Sequence, residues 1–208
     1  MKNFIAKMGA VLLTSAAALT FTACDLGGGL KDSRDGKTYK TVKIGKQVWM
    51  AENLNYQTGK SKCYDNKPEN CDKYGRLYVW RDAVTACPEG WHLPNKQELE
   101  DLRTLAGQKA GDIKKAGTVL KSTTGWKDDD GKSGNGTDGL GFGALPAGYY
   151  RSGNDSFYDE GSYAFFWSST EYGSSLAYGL GLRYGREYAG VNYNSKGNGF
   201  SVRCVKNN

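Results

Sequence analysis

The chain has 208 residues, of which 38% are hydrophobic and 24% charged: long enough for one well-cored domain and too short for two full ones. Its formal charge of +6 is spread, with Lys73, Arg76 and Arg81 interleaved with Asp72 and Asp82, so no basic face for nucleic acid is present. With one histidine, His92, a multi-histidine zinc site is excluded, and no GxSxG or HExxH string accompanies it.

At the start, Lys2 and Lys7 precede an uncharged run from Met8 to Phe21 rich in Ala, Leu and Thr, the pattern of a secretory leader rather than a spanning helix. The run closes on Leu19-Thr20-Phe21-Thr22-Ala23-Cys24. This resembles a bacterial lipobox at Ala23 and Cys24 and departs from it at Phe21, where that motif prefers Leu. We therefore expect a lipoprotein signal peptide over residues 1–23, an acylated Cys24 as the mature first residue, and a flexible lipidated tether over residues 24–35. A diacylglycerol plus an N-acyl chain anchors stably to a membrane where one chain binds only marginally. Five cysteines are an odd number for an exported chain, and acylation of Cys24 leaves four: Cys63, Cys71, Cys87 and Cys204. Loss of Lys2 and Lys7 with the leader lowers the formal charge from +6 to +4.

The folded domain is expected over residues 36–208. Thr38–Ile44 and Gln47–Met50 are β-rich runs separated by Gly45-Lys46, and a two-residue turn with Gly first suits a type II′ hairpin. Residues 56–74 read as a polar loop in which Cys63 and Cys71, eight positions apart, have a spacing that a local disulfide can close. Trp80, Ala83, Val84 and Cys87 fall on one helical face, and Pro88 with Gly90 stops that helix, so Cys87 points inward. His92, between Trp91 and Leu93, is expected on a strand entering the core as a structural residue. A second helix starts at Asn95 as N-cap with Glu98 in capping-box position, and Leu99, Leu102 and Leu105 form its apolar stripe. Beyond Gly107 the expected strands are 118–122, 142–151, 163–171, 177–184, 187–194 and 200–206. No period of 20 to 50 residues repeats.

Trp80-x-x-Ala83-x-x-x-Cys87, then Gly90-Trp91-His92-Leu93-Pro94 and the Glu98-x-x-x-Leu102 helix, are similar to the first helix and following segment of C-type-lectin-like domains. That resemblance implies an α+β fold with two short helices and a mostly antiparallel, twisted β-sheet region. It also implies a disulfide from Cys87 to Cys204 of the last strand, Phe200-Ser201-Val202-Arg203-Cys204-Val205, leaving Cys63 with Cys71. More specifically, the chain resembles the Fibrobacter succinogenes major paralogous domain family of exported proteins and lipoproteins. The residues that carry this are Asp35-Gly36-Lys37-Thr38-Tyr39, Gln47 to Tyr56, Gly90 to Pro94 and Gly136-Thr137-Asp138, with Phe142 to Gly148, Phe166 to Glu171 and Ser201 to Val205 following in order. The family implies a fold and little about activity.

Related folds include formylglycine-generating enzymes, whose chemistry uses cysteines, but here Cys87 and Cys204 take structural positions. Asp128, Asp130 and Asp138 with Asn135 form an oxygen-rich loop of the kind calcium can use, set against a plain solvated turn; no other cofactor is expected. The sugar-binding calcium motifs of C-type lectins are absent, and Pro68-Glu69-Asn70 has similar letters in the wrong order. Nine of the fourteen tyrosines lie between Tyr149 and Tyr193, most of them expected to fill the core, with Tyr150, Tyr158, Tyr172 and Tyr188 expected at the surface. Ligand contacts are expected from two loops, through Asp128, Asp130, Asn135 and Asp138 in the first and Arg151, Asn154, Asp155 and Tyr158 in the second. The resulting expectation is a non-catalytic protein, lipid-anchored at the outer membrane or cell surface, that binds a glycan or protein. An enzyme or accessory subunit acting on extracellular polysaccharide, and a purely structural envelope component, are the alternatives.

Overall fold

A computed structural model describes residues 29–207. The expected signal peptide and the cysteine expected to be acylated, Cys24, lie outside the described residues. Within them, β1 (Leu30–Lys31) pairs antiparallel with β2 (Thr38–Tyr39), and Asp32 between them is fully buried. Paired strand structure is therefore present at Leu30–Lys31, within residues 24–35 that were expected as a flexible tether. The cause is Arg34: its guanidinium takes both Asp32 carboxylate oxygens at 2.9 and 2.6 Å, reaches the Ala86 carbonyl at 2.8 Å, and lies 3.7 Å over the Tyr56 ring.

β3 (Thr41–Ile44) and β4 (Gln47–Met50) form the expected hairpin, with Ile44 opposite Gln47. Gly45 sits at φ +61° while Lys46 keeps a negative φ, as a type II′ turn requires. The segment expected to be a polar loop contains α1 (Pro68–Tyr74), opened by a proline at N1 and burying Cys71 and Tyr74 one turn apart. Two apolar positions in seven residues are too few to register as a helical stripe. β5 (Tyr78–Val79) leads into α2 (Trp80–Ala86), whose Ala83 and Ala86 are fully buried while Trp80, Val84 and Cys87 pack against the same cluster. Cys87 turns extended before Pro88, the conformation that a following proline imposes.

β6 (Trp91–His92) precedes α3 (Lys96–Ala110). Both halves of the capping box are made: the Asn95 side chain accepts from the Glu98 N–H at 3.0 Å, and the Glu98 carboxylate accepts from the Asn95 N–H at 2.8 Å. Leu99 and Leu102 are buried and Leu105 half-buried. His92 does not enter the core. Its half-exposed ring bridges Glu98, at 2.9 Å, and Asn207, at 2.6 Å.

The strand expected at 118–122 is instead α4 (Ala116–Leu120), and with α1 it brings the α-helices among the described residues to four rather than two. Thr118 and Val119 gave it a β-rich look, but Ala116, Gly117, Val119 and Leu120 are buried in a helical, not alternating, pattern. Of the run 142–151, only β7 (Tyr149–Arg151) is a strand, because Pro146 has no N–H to donate and Gly143 and Gly148 take positive φ. A Cβ at Gly148 would stand 2.2 Å from the Tyr158 carbonyl oxygen.

β8 (Ser156–Tyr158) returns on β7, and β9 (Tyr163–Glu171), β10 (Leu176–Arg183) and β11 (Ala189–Ser195) form the longest antiparallel meander. The last expected strand is split into β12 (Gly199–Phe200) and β13 (Val205–Lys206). Between them the chain crosses from one sheet to another, and its backbone groups are met by Leu54, Met50 and Phe165. The sheets run β3-β4-β13-β6, β5-β12-β7-β8 and β11-β10-β9, beside the β1-β2 pair.

Two large apolar clusters result. One packs α3 and α4 on the meander through Leu99, Leu102, Leu120, Phe142, Phe166, Leu180 and Leu182. The other gathers Met50, Leu54, Tyr78, Trp167, Phe200, Val202 and Cys204 around α2. Cys87–Cys204 ties α2 to the chain's end, and Cys63–Cys71 closes the loop into α1. Between the clusters Arg203 is almost fully buried. Its guanidinium donates to Asn53 Oδ1 at 2.6 Å and to the carbonyls of Met50, Phe142 and Gly143, so a cation that burial pulls down from its ordinary range is held by backbone dipoles.

Candidate functional site

The two loops expected to meet a ligand touch at their ends, where the Lys127 N–H donates to the Gly161 carbonyl at 2.8 Å. In the first loop Asp128 and Asp130 are exposed, and Asp130 holds a tight turn at φ +48°. Asn135 accepts from the Trp126 N–H at 3.0 Å, and Asp138 accepts from the Gly143 N–H at 2.6 Å. These two are loop-forming contacts, and burial raises the Asp138 carboxyl above its ordinary range. Among the described residues no three His, Cys, Asp or Glu side chains gather to hold a metal ion.

In the β7–β8 hairpin, Arg151 is exposed and Asn154 donates to the Tyr158 hydroxyl at 2.5 Å. Tyr158 is half-buried and stacks on Tyr149 at 5.6 Å. Tyr150, expected at the surface, is buried, whereas Tyr172 and Tyr188 are exposed as expected. Of the eight residues, Asp155 joins a larger feature: its carboxylate accepts from Lys62 Nζ at 2.9 Å and from the Tyr150 hydroxyl at 2.8 Å.

Lys62 and Tyr150 line an open cleft of about 810 Å³. Its walls come from five separated stretches: residues 59–62, the β5–α2 junction at 79–81, the end of β7 with Ser152, the end of β9 with Ser174, and Lys196-Gly197 after β11. β12 holds these together by pairing with both β5 and β7, so Gly199 stands opposite Val79 on one side and Tyr150 on the other. The Trp80 N–H donates to the Lys196 carbonyl at 3.0 Å, fixing the start of α2 to the far wall.

Inside the cleft, the Lys196 ammonium is bound by Glu171 Oε2 at 2.8 Å and by the Gly173 and Ser174 carbonyls at 3.0 and 3.1 Å, and it lies 4.5 Å over the Trp80 ring. Trp80 spends its indole N–H on the Ser168 carbonyl at 2.8 Å, which fixes the ring. Lys62 lies 4.6 Å over the Tyr150 ring. The hydrogen bond from Lys62 holds the Asp155 carboxyl below its usual range, and Asp155 in turn raises the Lys62 ammonium.

Trp80 was expected only on a helix face, and Lys60, Lys62, Arg81, Glu171 and Lys196 were not expected at a site. Nothing local marks them as a group: they come from stretches far apart in the chain, joined by β12, by the Lys62–Leu77 bridge and by the bond from the Trp80 N–H to the Lys196 carbonyl. Taken together, the molecule is an α+β domain of antiparallel sheets, stapled by two disulfides, with an open cleft lined by rings and cations. Residues 42–206 match the family model described as the Fibrobacter succinogenes major domain, and the chain belongs to that family. No curated protein and no solved structure matched the chain.

Proposed function

We propose that this is a non-catalytic cell-envelope protein of C-type-lectin-like build, lipid-anchored through Cys24 at the outer membrane or cell surface, that binds a glycan in the cleft at Trp80 and Tyr150. The observation that carries this reading is the cleft itself. At about 810 Å³ it is in the range of small-ligand sites, and it sets hydrogen-bonding groups beside fixed aromatic rings. A protein partner would need a broader face, on the order of 800 Å² per side. Among the described residues one acid lines the cleft, Glu171, and it is engaged with Lys196, which favours binding over the paired free carboxylates of glycoside hydrolysis.

Two disulfides suit an exported domain. A bond from the first lectin-like helix to the chain's end supports the lectin-like build. Among the described residues no helix is long and apolar enough to cross a membrane. The Ala23-Cys24 junction at the end of the apolar run is what supports attachment through Cys24.

The test is a glycan array read with the full-length protein and with Ser152→Leu, which places a bulkier uncharged side chain in the cleft from an exposed position. Capture is expected for the native chain and a loss of tenfold or more for the variant, at unchanged melting temperature. Undiminished capture by Ser152→Leu would move the site elsewhere. For the anchor, mass spectrometry of the membrane fraction is expected to find an acylated Cys24 at the mature N-terminus, and an unmodified Cys24 in a form free of the membrane would remove the anchoring claim.

A further inference from the structure

We infer that the glycan taken by this cleft is acidic, carrying carboxylate or sulfate groups along its chain; the inference rests on the cleft being the binding site. Among the described residues four cations line it, Lys60, Lys62, Arg81 and Lys196, against one lining acid, Glu171, with Asp155 set against Lys62 at 2.9 Å. A cleft dominated by one sign of charge focuses the field on a ligand of the other sign.

The four cations have different parts. Lys196 has its three protons directed to Glu171, Gly173 and Ser174, so its charge is met by Glu171 and it fixes the wall rather than touching the ligand. Lys62 is shared with Asp155, whose side chain is 71% exposed and can give way to a ligand carboxylate on the same ammonium. Lys60 and Arg81 are exposed and make no ion pair among the described residues. The nearest acid in sequence, Asp82, is turned toward the Thr58 hydroxyl and the Lys60 N–H, at 2.6 and 2.9 Å. Arg81 therefore has a free planar fork, the geometry that takes a carboxylate or sulfate through two parallel bonds.

The rings point the same way. A neutral sugar is held by laying its C–H face on a bare aromatic ring, but here an ammonium stands over Trp80 and another over Tyr150. What the cleft presents is charge backed by rings.

The experiment measures binding of the full-length protein, in nonionic detergent, to two matched pairs: polygalacturonate against its full methyl ester, and dextran sulfate against dextran. Each pair shares a backbone and differs in charge. Tighter binding of at least one acidic member than of its neutral partner, by tenfold or more and weakening with added salt, is the expected result. Lys60→Glu with Arg81→Glu should lower that affinity at least tenfold. Lys43→Glu with Lys46→Glu, the same change of charge on the exposed β3–β4 turn, should leave it within twofold. Equal binding of both members of both pairs overturns the acidic preference while the glycan reading stands. Equal loss in the two double variants also overturns it, by reducing the effect to overall charge. Capture of neither pair alongside capture of neutral glycans on the array overturns it again. An array and both pairs all blank would remove the glycan reading itself.

Discussion

Asp32 shows how a single side chain can extend a domain. It is fully buried at the turn between β1 and β2, and the Arg34 guanidinium beside it holds its carboxyl below the ordinary value of 3.8. A carboxyl lowered in this way contributes stability that is fully present above pH 3.8 and is lost as pH falls through the lowered value. Asp32→Asn should therefore cost about 1.5–3 kcal/mol at neutral pH, the range for hydrogen bonds to a charged group. The gap between native and variant melting temperatures should close as the pH is taken below 3.8 in thermal melts. A gap that stayed constant down to pH 2 would mean that the ion pair is not what holds the turn. Arg203 and Lys121 obey the complementary rule that a buried cation must be met in full. Lys121 donates to four backbone carbonyls, those of Gly134, Arg183, Tyr184 and Arg186, and so fastens the 127–138 loop to the turn between β10 and β11.

At the level of elements, α3 is started by a local device and positioned by a tertiary one. Asn95 and Glu98 satisfy each other's backbone N–H groups, which is legible from four residues of sequence. Glu98 also accepts from Gln47 of β4 at 2.6 Å and bridges to His92 of β6, so one carboxylate joins the helix start to two strands of a sheet. Asn95→Ala removes the cap alone and should lower stability by about 1 kcal/mol in urea titration. A change below a few tenths of a kcal/mol would show that Glu98 holds the helix start without it. By contrast, α1 and α4 were not legible. A seven-residue helix with two buried positions gives no period to read, and β-branched residues in α4 point to a strand until the meander covers them.

For the molecule as a whole, the two disulfides differ by the length of chain they close. Cys87–Cys204 spans 117 residues and Cys63–Cys71 spans 8. Restriction of the unfolded chain then gives about 5 kcal/mol for the long bridge and about 2.5 kcal/mol for the short one. Cys87→Ser with Cys204→Ser should accordingly lower the unfolding free energy by clearly more than Cys63→Ser with Cys71→Ser, measured by guanidinium titration under non-reducing conditions. Equal losses would mean that local strain, not loop closure, sets their worth. The long bridge also explains why the cleft depends on the whole chain. The segment carrying Cys204 also carries β12, and β12 is what brings Val79 and Tyr150 face to face.

The sequence by itself determined whatever depends on neighbours along the chain: the Gly45-Lys46 hairpin, the stop of α2 at Cys87 before Pro88, the capped start of α3 and the long central strands. Each follows from backbone preferences that reach across a few residues, and motif order added the family and the disulfide partners. The tertiary structure decided which polar side chains meet. Asn135 and Asp138 read as ligand groups and are also bound within their own loop, while Lys60, Lys62, Arg81 and Lys196, scattered over more than 130 positions, face one cleft. A side chain's charge is written in its letter. Its partner is set by how distant stretches are brought together, as β12 does in pairing with both β5 and β7, which no local preference encodes.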